Sequence, residues 1–226
     1  MKALLWKDYR LNRGVLLLGI ALLLGPYAAV FGAALHAHWP SWPPAAEWSA
    51  LLLTASLFSL SLSELTLVTL AGNAIASERA DRSAEFLAYL PPSRLGILAS
   101  KFLLALLTAA VIWAVNLFVG EVISPALATP TANPTDQLAP RPMLAASAVM
   151  LFGAGWLGSA VLDSPATATS IGIGATLAVP FLLMTASGLL AVPVDDFKHW
   201  SIITCLTLGT ICFLAGSVYY LRRVEP

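Results

Sequence analysis

Charged residues are scarce in this chain of 226 residues. Asp, Glu, Lys and Arg make up 11% of it, whereas a soluble domain has about 25%. Hydrophobic residues make up 58% of the chain, and the mean hydropathy is +0.82. So few charges cannot cover a water-soluble surface, and the composition therefore predicts an integral membrane protein. The formal net charge is zero, which argues against nucleic acid as a partner.

The sequence also lacks the motifs of nucleotide binding and of covalent catalysis. It contains no G-x-x-x-x-G-K-[ST] phosphate loop, no G-x-S-x-G elbow and no H-E-x-x-H pair. His36 and His38 are two residues apart and do not share a helix face, so they do not predict a metal site. Cys205 and Cys212 would lie about 10 Å apart along a helix axis, which is too far for a disulfide. We therefore expect neither an enzyme nor a bound cofactor.

Long apolar runs are what the sequence has instead. A helix needs about 20 apolar residues to cross the hydrocarbon layer, and only a helix or a closed barrel satisfies its own backbone there. The first run is longer than the apolar core of a signal peptide, about 7–15 residues, so we expect an uncleaved span. These runs predict an all-α integral membrane protein whose single transmembrane domain covers residues 1–226. The six predicted spans are about 15–35, 48–71, 102–123, 144–162, 167–190 and 202–221.

The basic residues predict the orientation of these spans. Six spans place both termini on one side, and ten of the twelve Lys and Arg residues then fall on that side, leaving only Arg141 and Lys198 opposite. Because cytoplasmic loops carry the excess of basic residues, we expect both termini in the cytoplasm and the chain in the cytoplasmic (inner) membrane. Residues 1–13 then form either a surface helix on the lipid bilayer or a plain basic flank of the first span.

A few polar side chains fall inside the predicted spans. Glu64 is the only carboxylate well within one, and Ser63 is beside it on a stripe of hydroxyl residues. A carboxylate is costly in lipid, so Glu64 and Ser63 are candidates for a substrate path, with Asn116 and Glu121 as weaker ones. The alternative is that a protonated Glu64 bonds to a neighbouring helix and serves only packing. The stripe consists of Ser56, Ser59, Ser63 and Thr66.

The longest polar passage joins the second and third predicted spans, from Asn73 to Lys101. It has the length of one helix, which Pro91-Pro92 would end. From Glu78 to Arg94 it is ERADRSAEFLAYLPPSR. This segment resembles the first cytoplasmic loop of ABC-2 type transporter permeases, which has the form E-R-x-x-x-[TS]-x-E-x-L-x-x-L-P-x-S-R followed by a Lys. The N-terminal LLWKDYRLNR is similar to the surface helix of that family, whereas the last external loop is shorter than in many of its members.

The resemblance implies the permease subunit of an ATP-binding cassette exporter, which moves an unidentified substrate. Two permease subunits would pair as a homodimer or heterodimer, and each would dock on a separate cytoplasmic ABC ATPase that uses ATP and Mg. The segment 73–101 would be the coupling helix. The residues expected to couple to the ATPase are Glu78, Arg79, Asp81, Arg82, Ser83, Glu85, Phe86, Leu90 and Arg94.

Two other functions fit parts of the sequence. A non-transporting six-span membrane protein, such as an immunity or scaffold factor, would have the same layout. A secondary transporter would need ionisable groups along a path, and Glu64 is the only strong candidate. By charge pattern alone, residues 73–101 would be a solvated surface loop. The permease is favoured by the coupling-type segment together with the missing phosphate loop.

Overall fold

The computed structural model describes residues 2–38, 41–80, 93–127, 141–189 and 194–223, apart from the side chains of 46, 80, 187, 189, 194, 195 and 223. Every regular element within these ranges is a helix. Six of the helices are long and apolar enough to cross a membrane, which confirms the predicted all-α class and multi-pass architecture. The sidedness of the spans and the identity of the membrane stay predictions. The elements are α1 (Lys2–His38), α2 (Ala45–Ala80), α3 (Arg94–Phe118), a π-helix (Val119–Ile123), α4 (Ser124–Leu127), α5 (Arg141–Val161), α6 (Pro165–Leu189) and α7 (Val194–Arg223).

Several helices are longer than the predicted spans. At 1.5 Å per residue, the 37 residues of α1 extend about 55 Å, against roughly 30 Å of hydrocarbon. The predicted N-terminal surface helix is therefore wrong as a separate element, because residues 2–13 form the first turns of α1. Gly14 is the only helix-weakening residue at the predicted boundary. A single glycine costs about 1 kcal/mol, which does not end a helix of this length.

The two ends of the polar passage after the second span also belong to the long helices. Residues 73–80 continue α2, and residues 94–101 are the first turns of α3. Residues 81–92 lie outside the described ranges, as does the predicted helix end at Pro91. The start of the predicted coupling segment is therefore continuous with the helix of the second span.

Contacts divide the chain into two compact units. The first unit comprises Met1–Arg13, Leu67–Leu106 and Pro142–Pro226, and the second comprises Gly14–Thr66 and Leu107–Arg141. Each unit takes parts of several helices. The single transmembrane domain of 1–226 stays a prediction.

Helix α5 is the centre of the first unit, and glycines let other helices approach its backbone closely. Small residues at such positions allow helices to pack in lipid without a hydrophobic driving force. Spacing in the sequence predicts this role for Gly155, Gly158 and Gly172, which the structure confirms, and for Gly174, which has open space around it. The close approaches made by α5 are Gly155 to Val68 of α2, Gly158 to Ala168 of α6 and Gly153 to Gly209 of α7.

An aromatic cluster lies between α3, α5 and α7, and Phe102 of α3 belongs to it, with its ring centroid 5.1 Å from that of Phe213. Trp156 is fully buried, and its ring centroid lies 5.4 Å from those of Phe152 and Phe213. The indole Nε1 donates a hydrogen bond of 3.2 Å to Ser217 Oγ, so its one polar atom is satisfied, as a buried indole requires. We interpret this cluster as core packing that fixes α5 and α7 to α3.

Candidate functional site

Four ionisable side chains meet within the first unit, and we call Lys7, Asp8, Glu78 and Lys101 the four-residue network. Glu78 Oε1 lies 2.8 Å from Lys7 Nζ and 3.0 Å from Lys101 Nζ. Lys101 Nζ also lies 3.6 Å from Asp8 Oδ1. Two ammonium groups thus face two carboxylates, and their formal charges cancel.

The network is largely withdrawn from the surface. Asp8, Glu78 and Lys101 are 3%, 4% and 8% exposed. Acidic and basic side chains are almost never buried to this degree unless they are paired. Asp8 has a further partner, because Ser100 Oγ donates a hydrogen bond of 2.5 Å to its Oδ2. Mutual pairing therefore explains how these groups can sit inside an apolar bundle.

The network connects three helices close to their ends. Lys7 and Asp8 lie in the first turns of α1, Glu78 lies in the last turn of α2, and Lys101 lies two turns into α3. Residues 81–93 connect α2 to α3. Both ends of the predicted coupling segment are therefore tied to one set of ion pairs.

The end of α2 is also fixed to α5 and to the turn that follows it. Arg79 Nη2 donates a hydrogen bond to the carbonyl oxygen of Ala160, and its Nη1 lies 3.5 Å from Asp163 Oδ1. One turn earlier in α2, the backbone N–H groups of Ile75 and Ala76 donate hydrogen bonds of 2.8 and 2.9 Å to Ser159 Oγ of α5. A displacement of the end of α2 would therefore be transmitted directly to α5.

The structure places three of the nine predicted coupling residues. Glu78 is buried in the network, Arg79 pairs with Asp163, and Arg94 is exposed at the start of α3. Glu78 and Arg79 thus make contacts within the chain, and their predicted contact with an ATPase stays a prediction. The other six lie outside the described residues: Asp81, Arg82, Ser83, Glu85, Phe86 and Leu90.

Sequence reasoning missed the roles of Lys7, Asp8 and Ser100. One signal was present, because Asp8 interrupts the apolar side of the predicted N-terminal helix. A carboxylate that breaks an amphipathic pattern costs burial energy unless it has a partner. That partner, Lys101, is 93 positions away, so no local pattern connects the two.

The predicted path residues all lie in the second unit. Glu64 is 7% exposed and Ser63 is fully buried. Ser56 and Thr66 are also fully buried, and the hydroxyls of Ser56, Ser63 and Thr66 have no hydrogen-bond partner among the described residues. Unpaired hydroxyls in an apolar setting are unfavourable. Water or a polar ligand beside α2 would satisfy them.

Asn116 and Glu121 make two separate contacts in this unit. Asn116 is buried, and its Oδ1 accepts a hydrogen bond of 2.7 Å from Tyr27 OH. Glu121 belongs to the π-helix and forms an ion pair with Arg141 Nη1. The sequence indicated neither Tyr27 nor Arg141 as a site residue, because one is a single tyrosine in an apolar run and the other served only to assign orientation.

Comparisons with protein-family models, with curated proteins and with solved structures found no match to this chain. The functional proposals below rest on the contacts described above and on the resemblance of residues 78–101.

Proposed function

We propose that this chain is the permease subunit of an ABC-2 type exporter. It would move an unidentified substrate across the cytoplasmic membrane, driven by ATP hydrolysis in a separate ABC ATPase. The observation that carries the proposal is the four-residue network. It ties together both ends of the one segment that resembles a coupling helix.

A coupling segment transmits force only if its ends are fixed to the spans. Glu78 pairs with both Lys7 and Lys101, so a push on residues 81–92 would move α2 and α3 together. Through Lys7 and Asp8 the same push would reach α1. Buried ion pairs are screened little by salt, and separating one leaves an uncompensated charge, so the connection resists being pulled apart. Closure of the ATPase on ATP would then tilt these helices.

The partner surface is expected on residues 81–90. Asp81, Arg82 and Glu85 supply charges of both signs for a polar interface, and Phe86 and Leu90 supply apolar contacts. ATP and Mg belong to the ATPase, and a second permease subunit completes the transporter. The buried hydroxyl residues of α2 and Glu64 are the proposed wall of the substrate path.

The alternative is a non-transporting six-span protein, such as an immunity or scaffold factor. One observation favours it: the network is charge-balanced and each member is paired, as a purely structural device would be. In that case the ion pairs only hold three helices together and transmit no force from a partner.

Photo-crosslinking in native membranes tests the proposal. With p-benzoylphenylalanine in place of Phe86 in the full-length chain, we expect a covalent adduct with an ATPase that contains a phosphate loop. Phe181, on α6 and 69% exposed, is the matched control position and is expected to give no ATPase adduct. A well-expressed Phe86 variant that captures no ATPase, or captures it no better than the Phe181 variant, would contradict the permease assignment.

A further inference from the structure

Arg141 in the second unit has a buried guanidinium that is only partly paired. The residue is 6% exposed, and its Nη1 forms an ion pair with Glu121. Its Nε is buried and has no hydrogen-bond partner among the described residues. Leaving a buried donor of a charged group unpaired is strongly unfavourable. The side chain therefore has an unused capacity to bind an acceptor.

One edge of the guanidinium lies close to Ser56 Oγ, a second group without a hydrogen-bond partner among the described residues. Nε and Nη2 form one edge of the planar fork, which binds carboxylate or phosphate through two parallel hydrogen bonds. Nη2 lies against Gly120, where a Cβ would be in any other residue. Ser56 Oγ, fully buried and without a partner, lies 3.6 Å from that same point. The guanidinium and the Ser56 hydroxyl thus lie together beside one glycine, and neither Nε nor Ser56 Oγ has a hydrogen-bond partner among the described residues.

The glycine belongs to the π-helix Val119–Ile123. Such single-turn π segments within α-helices are frequently found at functional sites. Any side chain at position 120 would occupy the place of Arg141 Nη2, so glycine is what allows the guanidinium to reach this position. The local sequence and the local helix geometry are therefore both matched to the placement of Arg141.

Glu121 and Arg141 differ in their access to the surroundings. The side chain of Glu121 is 45% exposed, whereas that of Arg141 is 7% exposed. The carboxylate can therefore be reached from outside the chain, and the guanidinium cannot. The Glu121 carboxylate thus occupies an anion position beside Arg141.

We propose that Arg141 and Ser56, placed by Gly120, form a binding site for the oxyanion of a ligand, either a carboxylate or a phosphate group. Glu121 competes with that ligand for the single positive charge. The same chemistry would serve a free anion and a phospholipid headgroup. The proposal does not depend on the permease function, because it is drawn from the second unit alone.

Titration calorimetry on the purified full-length chain in uncharged detergent tests this proposal. The probes are inorganic phosphate, acetate and dioctanoyl phosphatidylglycerol at constant ionic strength, and we expect saturable binding of at least one. Binding of phosphate or acetate supports a site for free anions, and binding of the lipid alone supports a headgroup site. In either case Arg141→Gln should weaken binding at least about tenfold, the scale of charge-assisted hydrogen bonds.

Two variants separate this site from a purely structural ion pair. Glu121→Gln should tighten anion binding by about three- to tenfold, because it removes the competing charge. Gly120→Ala should weaken binding by displacing the guanidinium, whereas Gly32→Ala, with open space around it in α1, should leave binding unchanged. If Arg141→Gln fails to fold, anion binding by Glu121→Gln and Gly120→Ala tests the site instead.

Two results would overturn the proposal. One is that none of the three probes binds saturably, and the other is that Glu121→Gln binds no more tightly than the wild type. Neither result bears on the permease assignment, because no transport or ATPase activity enters the measurement. A failed crosslink at position 86 would likewise leave this site untouched.

Discussion

The two units of this protein each bury an ionic cluster, and the clusters differ in completeness. In the first unit Glu78 pairs with two lysines, and Asp8 pairs with Lys101 and Ser100. In the second unit Arg141 pairs with Glu121, and its Nε has no partner among the described residues. A cluster whose members satisfy one another holds helices together. A cluster with unsatisfied donors is suited to binding something else.

Exposure follows the same division. The Glu78 side chain is 5% exposed and that of Glu121 is 45% exposed. Identical substitutions in the two clusters should therefore have different consequences. If matched residues of the two clusters behaved alike, the distinction between the clusters would be lost.

The largest difference is expected for Glu→Gln. Glu78→Gln leaves two lysines facing one carboxylate in a buried site, which should lower the free energy of unfolding by about 3–5 kcal/mol. Glu121→Gln keeps an oxygen that can accept from Arg141 and removes a half-exposed charge, so its loss should be clearly smaller than that of Glu78→Gln. Unfolding in mixed micelles titrated with sodium dodecyl sulfate measures both. Equal losses in the free energy of unfolding would mean that the two clusters contribute equally to holding the helices together.

Gly→Ala should give the next largest difference. A Cβ at Gly209 would lie 2.6 Å from the backbone oxygen of Val149, and two packed helices cannot separate freely, so we expect a loss of about 1–3 kcal/mol. At Gly120 the Cβ would meet the end of the Arg141 side chain and not a backbone atom, so the loss should be smaller than at Gly209. Gly174→Ala, with open space around it, is the control and should be neutral or slightly stabilising. A Gly120→Ala loss as large as that of Gly209→Ala would show that Arg141 cannot move.

Ser→Ala should differ in sign between the clusters. Ser100→Ala removes a hydrogen bond to the buried Asp8 carboxylate, and we expect a loss of about 1 kcal/mol. Ser56→Ala removes a buried hydroxyl that has no partner among the described residues, so stability should be unchanged or slightly higher. The same unfolding titration gives both values. Destabilisation by Ser56→Ala would show that its hydroxyl is already satisfied, and would count against its place in the anion site.

The smallest difference concerns salt. Raising the ionic strength from 0.1 to 1 M shortens the screening length from about 10 to about 3 Å. The small stability difference between wild type and Glu121→Gln should shrink further, because Glu121 is half exposed. The difference for Glu78→Gln should hardly change, because the network is buried. A marked salt dependence for Glu78→Gln would indicate that water reaches the network.

The sequence predicted the spans better than the contacts between them. Composition and run length give six spanning helices, because each must satisfy its backbone alone. The helix ends were missed, because the predicted second span ended at residue 71 and Glu78 was assigned to a separate coupling helix. In the structure Glu78 continues α2, where it pairs with Lys7 and Lys101. Asp8 and Arg141 are similar cases. Each is out of place in its local pattern, and its role appears only when residues distant in sequence are brought beside it.

The glycines show the same limit. Small residues four positions apart, Ala154 with Gly158 and Gly155 with Ser159, predict a close helix approach. Gly153 and Gly209 were not predicted, because their contact depends on how α7 packs against α5. Residues 81–92 lie outside the described ranges, so the coupling segment itself rests on the sequence resemblance.

A paired substitution in the network separates force transmission from simple stapling. Glu78→Leu with Lys101→Met removes one charge of each sign, and apolar replacement of a buried ion pair is often neutral for stability. Because Lys101 also pairs with the buried Asp8, the unfolding titration first establishes that the double variant is folded. ATP hydrolysis by the ATPase captured at position 86 is measured with proteoliposomes that contain either the wild type or the double variant. We expect the wild type to stimulate hydrolysis and the folded, ATPase-bound double variant to stimulate it far less. Equal stimulation by the two proteins would show that the network only holds the helices together.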